Sequence, residues 1–146
     1  MKKLLLGLLA GFSLWAAGAA DLNWQTDLPK ALAQAKAEKK LVLMDFTGSD
    51  WCEPCQMLAK NIFAQPEFAT YAQTNLVLVD VDFPNKKPQT DALKTANLAL
   101  AGKFNVDGYP TLIALKPNGA EIWRNAGDPL AGPGDLIQKL DRANKL

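Results

Sequence analysis

The chain has two cysteines, Cys52 and Cys55, which lie three positions apart where an apolar run and a short loop give way to a helical pattern. At this spacing two thiols can close a disulfide within one helical turn. Cys52 is predicted to lie at the helix N-terminus, where free N–H groups and the helix dipole favour a thiolate. Because the thiolate is the reactive form, Cys52 is the predicted nucleophile. Cys55 is expected to be more buried and to resolve a mixed disulfide by attacking Cys52.

Composition excludes several other uses of these thiols. The 146 residues include no histidine, which rules out Ser-His and Cys-His nucleophilic pairs. Two cysteines alone cannot build a four-ligand Cys/His zinc site, so no metal site is predicted. A net charge of +1 with both signs scattered gives no reason to expect a nucleic-acid partner. Two plainer interpretations of the cysteine pair remain. It could be a static disulfide, although so short a loop would stabilise the fold little, or half of a metal site that bridges two chains.

The first 20 residues have the three-part pattern of a secretory signal peptide. Two lysines precede a run from Leu4 to Ala17 that is almost free of polar residues, and small residues follow up to Ala20. The run is short for a membrane span, which needs about 20 residues, although an uncleaved anchor is the alternative. We therefore predict a leader at 1–20, a domain at 21–146 and a periplasmic or secreted protein without stable membrane insertion. Export also implies an oxidising compartment, in which disulfides persist.

Hydrophobic periodicity predicts a single α/β domain in the remainder of the chain. Helices and strands alternate, and a tight turn at Pro117–Gly119 then joins two antiparallel strands. The predicted strands are the short, mostly apolar runs Leu41–Phe46, Leu76–Val81, Thr111–Leu115 and Glu121–Arg124. The expected architecture is a central mixed β-sheet flanked by helices on both faces, with the helix after Cys52 continuing through Lys60.

Three segments carry a resemblance to the thioredoxin superfamily, namely LVLMDFTGSDWCEPC, VDVDF and VDGYPTLIALKPNG. The likeness extends from about Trp24 to Leu140 and implies the thioredoxin fold and thiol–disulfide exchange. The run Asn61–Phe68 is especially similar to exported thioredoxin-like proteins and to the C-terminal domain of DsbD-type reductases. The Cys-Glu-Pro-Cys sequence is also similar to that of the TlpA/ResA-type exported reductases, some of which serve cytochrome c maturation.

The resemblance also implies roles for residues outside the cysteine pair. Tyr109-Pro110 matches the cis-proline site, at which the backbone before the proline pairs with an extended substrate, and Trp51 would form an apolar wall near the sulfurs. Asp45 matches the buried acid that helps to move the proton of the second cysteine. The sequence also departs from the family pattern. The span from Asp45 to Cys52 has one extra residue, the familiar lysine on the next strand is absent, and the segment 83–102 is longer than in the simplest thioredoxins.

The residues near Cys52 predict the direction of electron flow. Glu53 stands between the cysteines and Asp50 lies nearby, and negative charge beside a thiol opposes thiolate formation. A less stable thiolate makes the couple more reducing, so we predict a protein-disulfide reductase. Since no flavin or nicotinamide motif occurs, no cofactor is predicted and a membrane electron donor would have to supply electrons. The alternatives are a disulfide-donating oxidase or isomerase, a redox-inactive peptide-binding module, and a copper-handling thiol protein.

Overall fold

The computed structural model describes residues 21–146, and the predicted leader at 1–20 therefore lies outside the described residues. Within these residues, five α-helices, a π-helical segment and five strands follow one another. Their order is β1 (Trp24–Gln25), α1 (Leu28–Glu38), β2 (Leu41–Thr47), α2 (Glu53–Leu58), the π-helical segment (Ala59–Phe63), α3 (Pro66–Asn75), β3 (Leu76–Asp82), α4 (Asp91–Lys103), β4 (Thr111–Leu115), β5 (Glu121–Asn125) and α5 (Pro133–Asn144).

The strands form one mixed sheet in the order β1-β3-β2-β4-β5. Strand β3 runs parallel to both β1 and β2, whereas β4 is antiparallel to β2 and to β5. Central strand β2 is paired along both edges, and all seven of its residues are buried. The mixed sheet predicted from the sequence is confirmed.

Alternate side chains of β2 enter two separate cores, as the period of two in a strand requires. Val42, Met44 and Phe46 pack in the core under α1, which partly buried side chains of α4 also join. Leu41 and Leu43 face the opposite way, into the core formed with α3, the π-helical segment and α5. Helices therefore cover both faces of the sheet, as expected.

Side-chain caps fix the N-termini of two helices. Asp27 caps α1 by accepting a hydrogen bond from the Lys30 N–H at 3.0 Å. Thr90 caps α4 in the same way, accepting from the Leu93 N–H at 3.2 Å. A side-chain acceptor at this position satisfies one of the free N–H groups of the first turn.

Two features differ from the sequence-based expectation. The two-residue strand β1 was not predicted, because so short a run has no detectable periodicity. The helix after Cys52 also does not end at Lys60, because a π-helical turn continues it to Phe63. Ile62 and Phe63 are buried, so this turn extends the helix while keeping both side chains in the core.

Within residues 21–146, no helix combines the length and apolar character that crossing a membrane requires.

Candidate active site

The two cysteines lie where the loop after β2 enters α2. Cys52 is the N-cap residue of α2 and has an extended backbone, with φ −90° and ψ 102°. Its sulfur is bonded to that of Cys55, and it also accepts a hydrogen bond from the Cys55 N–H at 3.3 Å. Pro54 occupies the first helical turn, where a missing N–H costs little. The pair thus has the helix-start position that the sequence predicts.

The two cysteines are buried to nearly the same extent in the disulfide form. Cys52 is 5% exposed and Cys55 is 4% exposed, so the small difference has the predicted direction. Their surroundings also differ. Cys52 is the N-cap residue of α2, whereas Cys55 lines a solvent-open cavity together with Asp45.

The loop that carries Trp51 is fastened to the end of β3. Ser49 donates to the Asp82 carboxylate twice, from its N–H at 2.9 Å and from its hydroxyl at 2.6 Å. The Trp51 indole N–H donates to the Phe83 carbonyl at 2.7 Å. Strand β3 therefore fixes the loop directly before Cys52, which accommodates the extra residue between Asp45 and Cys52.

The Asp50 carboxylate binds the backbone of the loop after β3. Its carboxylate accepts hydrogen bonds from the N–H groups of Asn85, Lys86 and Lys87 at 2.7–2.9 Å. These bonds hold the pKa of Asp50 below its usual value, with the Asn85 N–H contributing most. The negative charge is thus solvated by the backbone of the loop after β3, and Asp50 orders that loop.

Aromatic side chains form a wall beside the cysteine pair. Trp51 is 44% exposed and meets the edge of Tyr109 at a centroid distance of 5.9 Å. Phe83 lies against the other side of Tyr109 at 5.0 Å. The Tyr109–Pro110 peptide bond is cis, as the resemblance implies. Trp51, Tyr109 and Pro110 therefore border the region of the disulfide.

A groove of about 350 Å³ adjoins Pro110 on the side away from Trp51. Pro54 and Met57 of α2 form one bank, and Leu130 belongs to the opposite bank. Met57 is half exposed. The groove is mainly apolar and has room for a few residues of an extended chain between Pro54 and Pro110.

The Asp45 carboxyl group is buried in the sheet beneath α2. Asp45 is 8% exposed, and its Oδ1 atom has no hydrogen-bond partner. It lines a cavity of about 590 Å³ that Cys55 and the exposed residues Gln56 and Lys60 also line. Burial is the main cause that raises the pKa of Asp45 to about 8, and the nearby charges of Asp80 and Asp82 raise it further.

Asp80 and Asp82 are the acidic residues near the site that sequence analysis did not consider. Asp80 pairs with Asp45 across β2 and β3, and Asp82 pairs with Thr47. The signal was present in VDVDF, where acids alternate with valine in an otherwise apolar strand. Alternation places both acids on the face that includes Leu76 and Leu78, which is the face beneath α2.

Among residues 21–146, no group of three or more His, Cys, Asp or Glu side chains is arranged to hold a metal ion.

Together, the fold and the disulfide at the start of α2 define a thiol–disulfide oxidoreductase of the thioredoxin type. The Thioredoxin-like family model matches residues 23–117, and the chain belongs to this family. A redox-inactive binding module is therefore not supported.

Individual relatives agree with this assignment. The chain is 33% identical to the disulfide bond reductase DsbH of Chlamydia pneumoniae, over 88% of this chain and 76% of that protein. It is 34% identical to the thiol:disulfide interchange protein DsbD 2 of Pseudomonas aeruginosa, over 65% of this chain but 15% of that protein. A solved structure of a DsbH oxidoreductase superposes with a TM-score of 0.80 at 33% identity, covering 88% of both chains.

Gly48 leaves the space that the Trp51 indole occupies, because a Cβ atom at position 48 would overlap the ring. We expect Gly48→Ala to displace Trp51, to break its hydrogen bond to Phe83 and to cost about 1–3 kcal/mol of stability, as overpacking does. Urea unfolding and the indole N–H resonance of Trp51 measure the two effects. Gly102→Ala is the matched control, since nothing lies within 4 Å of its added Cβ. An unmoved Trp51 resonance in Gly48→Ala would contradict the expectation.

The raised pKa of Asp45 makes stability depend on pH. From about pH 4 to pH 8 the unfolded chain releases the Asp45 proton while the folded chain keeps it, so stability falls as pH rises. We expect Asp45→Asn to remove this slope. Its free energy of unfolding should therefore rise relative to that of the wild type by on the order of 5 kcal/mol between these two pH values, at about 1.4 kcal/mol per pKa unit. Urea unfolding of the oxidised proteins at several pH values tests this, with exposed Asp91→Asn as the control. Parallel pH profiles for Asp45→Asn and the wild type would refute it.

Proposed function

We propose that this chain is an exported protein-disulfide reductase, in which Cys52 is the nucleophile and Cys55 is the resolving cysteine. The observation that carries the proposal is the arrangement of charge around the pair. Asp45 and Asp80 line the cavity of Cys55, where Asp80 supplies negative charge while Asp45 is protonated, and exposed Glu53 follows Cys52 in the first turn of α2.

The position of each cysteine supports its role in the reaction. The Cys52 thiolate, at the N-cap of α2, would attack a substrate disulfide and release one substrate sulfur as a thiolate. Cys55 would then lose its proton, attack the Cys52 sulfur and release the second substrate thiolate. Asp45 is the proposed acceptor of the Cys55 proton, because both residues line one cavity and a carboxylate of raised pKa is an effective base near neutral pH.

The direction follows from the energy of the dithiol form. A nearby negative charge disfavours a thiolate, and a couple whose thiolate is poorly stabilised is more reducing. The cationic side chain that lines the same cavity is Lys60, which is exposed and therefore acts through solvent. Electrostatics thus favours the disulfide form of this protein, which means that its dithiol readily gives up two electrons.

The substrate is proposed to be an extended segment of a disulfide-containing protein. Its backbone would pair with Tyr109 beside Pro110, its side chains would enter the groove lined by Met57 and Leu130, and Trp51 would cover the reacting sulfurs. The aromatic wall and the apolar groove meet at the Tyr109–Pro110 peptide bond. A main-chain interaction of this kind suits many substrates, because it does not read side chains.

The protein is proposed to act outside the cytoplasm and to depend on an external supply of electrons. The pattern of residues 1–20 supports export to the periplasm or beyond, where a reductase must receive electrons from outside the compartment. A membrane protein that passes on electron pairs as thiols is the proposed donor. The name of the similar disulfide bond reductase DsbH agrees with the proposed direction.

The reduction potential of the Cys52–Cys55 couple tests the direction. We expect the leader-free protein, equilibrated in glutathione buffers, to have a potential near that of thioredoxin, about −270 mV. A value near that of DsbA, about −120 mV, would overturn the proposal and make the protein a disulfide donor.

The groove adjoining Pro110 is tested by a substitution that leaves the cysteines untouched. We expect Met57→Gln to raise the KM for a denatured disulfide-containing protein several-fold, because about 1 kcal/mol of apolar contact is lost. The rate with a small aromatic disulfide should not change. Leu98→Gln is the matched control, since Leu98 is a similarly exposed apolar residue of α4. Equal KM values for Met57→Gln and Leu98→Gln would exclude the groove as the substrate site.

A further inference from the structure

The cavity behind Cys55 contains a second carboxylate that the mechanism above does not use. Asp80 lines this cavity together with Asp45 and Cys55. The two aspartates are directly paired across parallel strands β2 and β3, which are about 4.8 Å apart. Both side chains lie on the sheet face beneath α2, so their carboxyl groups are neighbours.

The two carboxyl groups differ in their access to water. Asp45 is buried and its Oδ1 atom lacks a partner within the described residues, whereas Asp80 is only partly buried. Asp80 also lines a second, solvent-open pocket between β3 and the loop after it. Asp80 therefore stands between the buried carboxyl group and the surface.

We propose that Asp80 is a positioning residue that shares with Asp45 the proton given up by Cys55 and passes it on to solvent. This inference rests on the proposed roles of Cys55 and Asp45. When a mixed disulfide is resolved, the Cys55 S–H bond breaks and the proton goes to the carboxylate pair. The Cys55 electron pair forms the bond to Cys52, and the substrate sulfur leaves with the electrons of the broken S–S bond.

The charges around the pair allow it to hold one proton near neutral pH. Like charges at short range do not ionise together, and the pair therefore titrates in two steps. Burial and the charge of Asp82 raise the pKa of Asp80 to about 6, while Lys87 lowers it; that of Asp45 is about 8. Two other charged groups face the pair. Lys60 lines the same cavity, and Asp82 is bound by Ser49 and lies 3.3 Å from the Lys87 ammonium group.

A pair with one proton can accept a proton from Cys55 and can return it when the disulfide is reduced again.

The test follows the two cysteines separately. The reduced, leader-free protein is mixed with 5,5′-dithiobis(2-nitrobenzoate) between pH 5 and 9. Attack by Cys52 releases one coloured thiolate, and attack by Cys55 on the resulting mixed disulfide releases the second. We expect Asp80→Asn to move the pH midpoint of the second phase down by about one to two units, because Asp45 loses the neighbouring charge that keeps it protonated. The first phase should be unchanged.

Conservative and control variants separate a shared proton from a structural effect. Asp80→Glu should restore the wild-type midpoint, and Asp91→Asn, which removes an exposed carboxylate at the start of α4, should leave both phases unaltered. If Asp45→Asn abolishes the pH midpoint of the second phase but Asp80→Asn leaves it in place, the role of Asp80 is overturned and that of Asp45 is not. A wild-type protein without a fast first phase would instead overturn the proposed function, because Cys52 would not be the nucleophile.

Discussion

The structure depends on strand β2, which is hydrogen-bonded on both edges and covered by helices on both faces. A strand in this position has almost no freedom to shift, because a slip by one residue would exchange its two apolar faces. It leads directly into the loop that carries Cys52, and its antiparallel partner β4 begins immediately after Pro110. The two segments that flank the disulfide are therefore fixed by the pairing of the same strand.

The same constraint explains why a carboxyl group can be kept beneath α2. In a fully buried strand a carboxylate without partners is costly, and the usual outcome is that it takes up a proton. Asp45 lies on the same face of β2 as the buried residues Leu41 and Leu43, where a further apolar side chain would be expected. Because β2 cannot rotate or slide to expose it, the group stays near Cys55 as a protonated acid. The rigid apolar sheet thus turns an ordinary carboxyl group into one that exchanges protons near neutral pH.

The sequence predicted most of the fold and the position of the cysteine pair, because the signals for both are local. Apolar runs mark β2, β3 and β4, and Pro54 marks the start of the helix. The sequence did not reveal what depends on contacts between distant segments. Strand β1 exists through its pairing with β3, and the π-helical turn exists because Ile62 and Phe63 both have to reach the core. The hydrogen-bond partners of Asp50 were not predicted for the same reason, since they lie 35–37 positions away.

The extra residue between Asp45 and Cys52 shows how the site tolerates a change in length. Asp45 and Cys55 line one cavity despite the added residue. The loop takes up the added length, because Ser49 is bound to Asp82 and Trp51 to Phe83. Asp50 then orders the longer loop that follows β3. The loop before Cys52 and the loop after β3 are thus joined to each other through Ser49, Trp51 and Asp50. The Trp51 wall is therefore positioned by these two loops, whereas the cysteine pair is positioned by the start of α2.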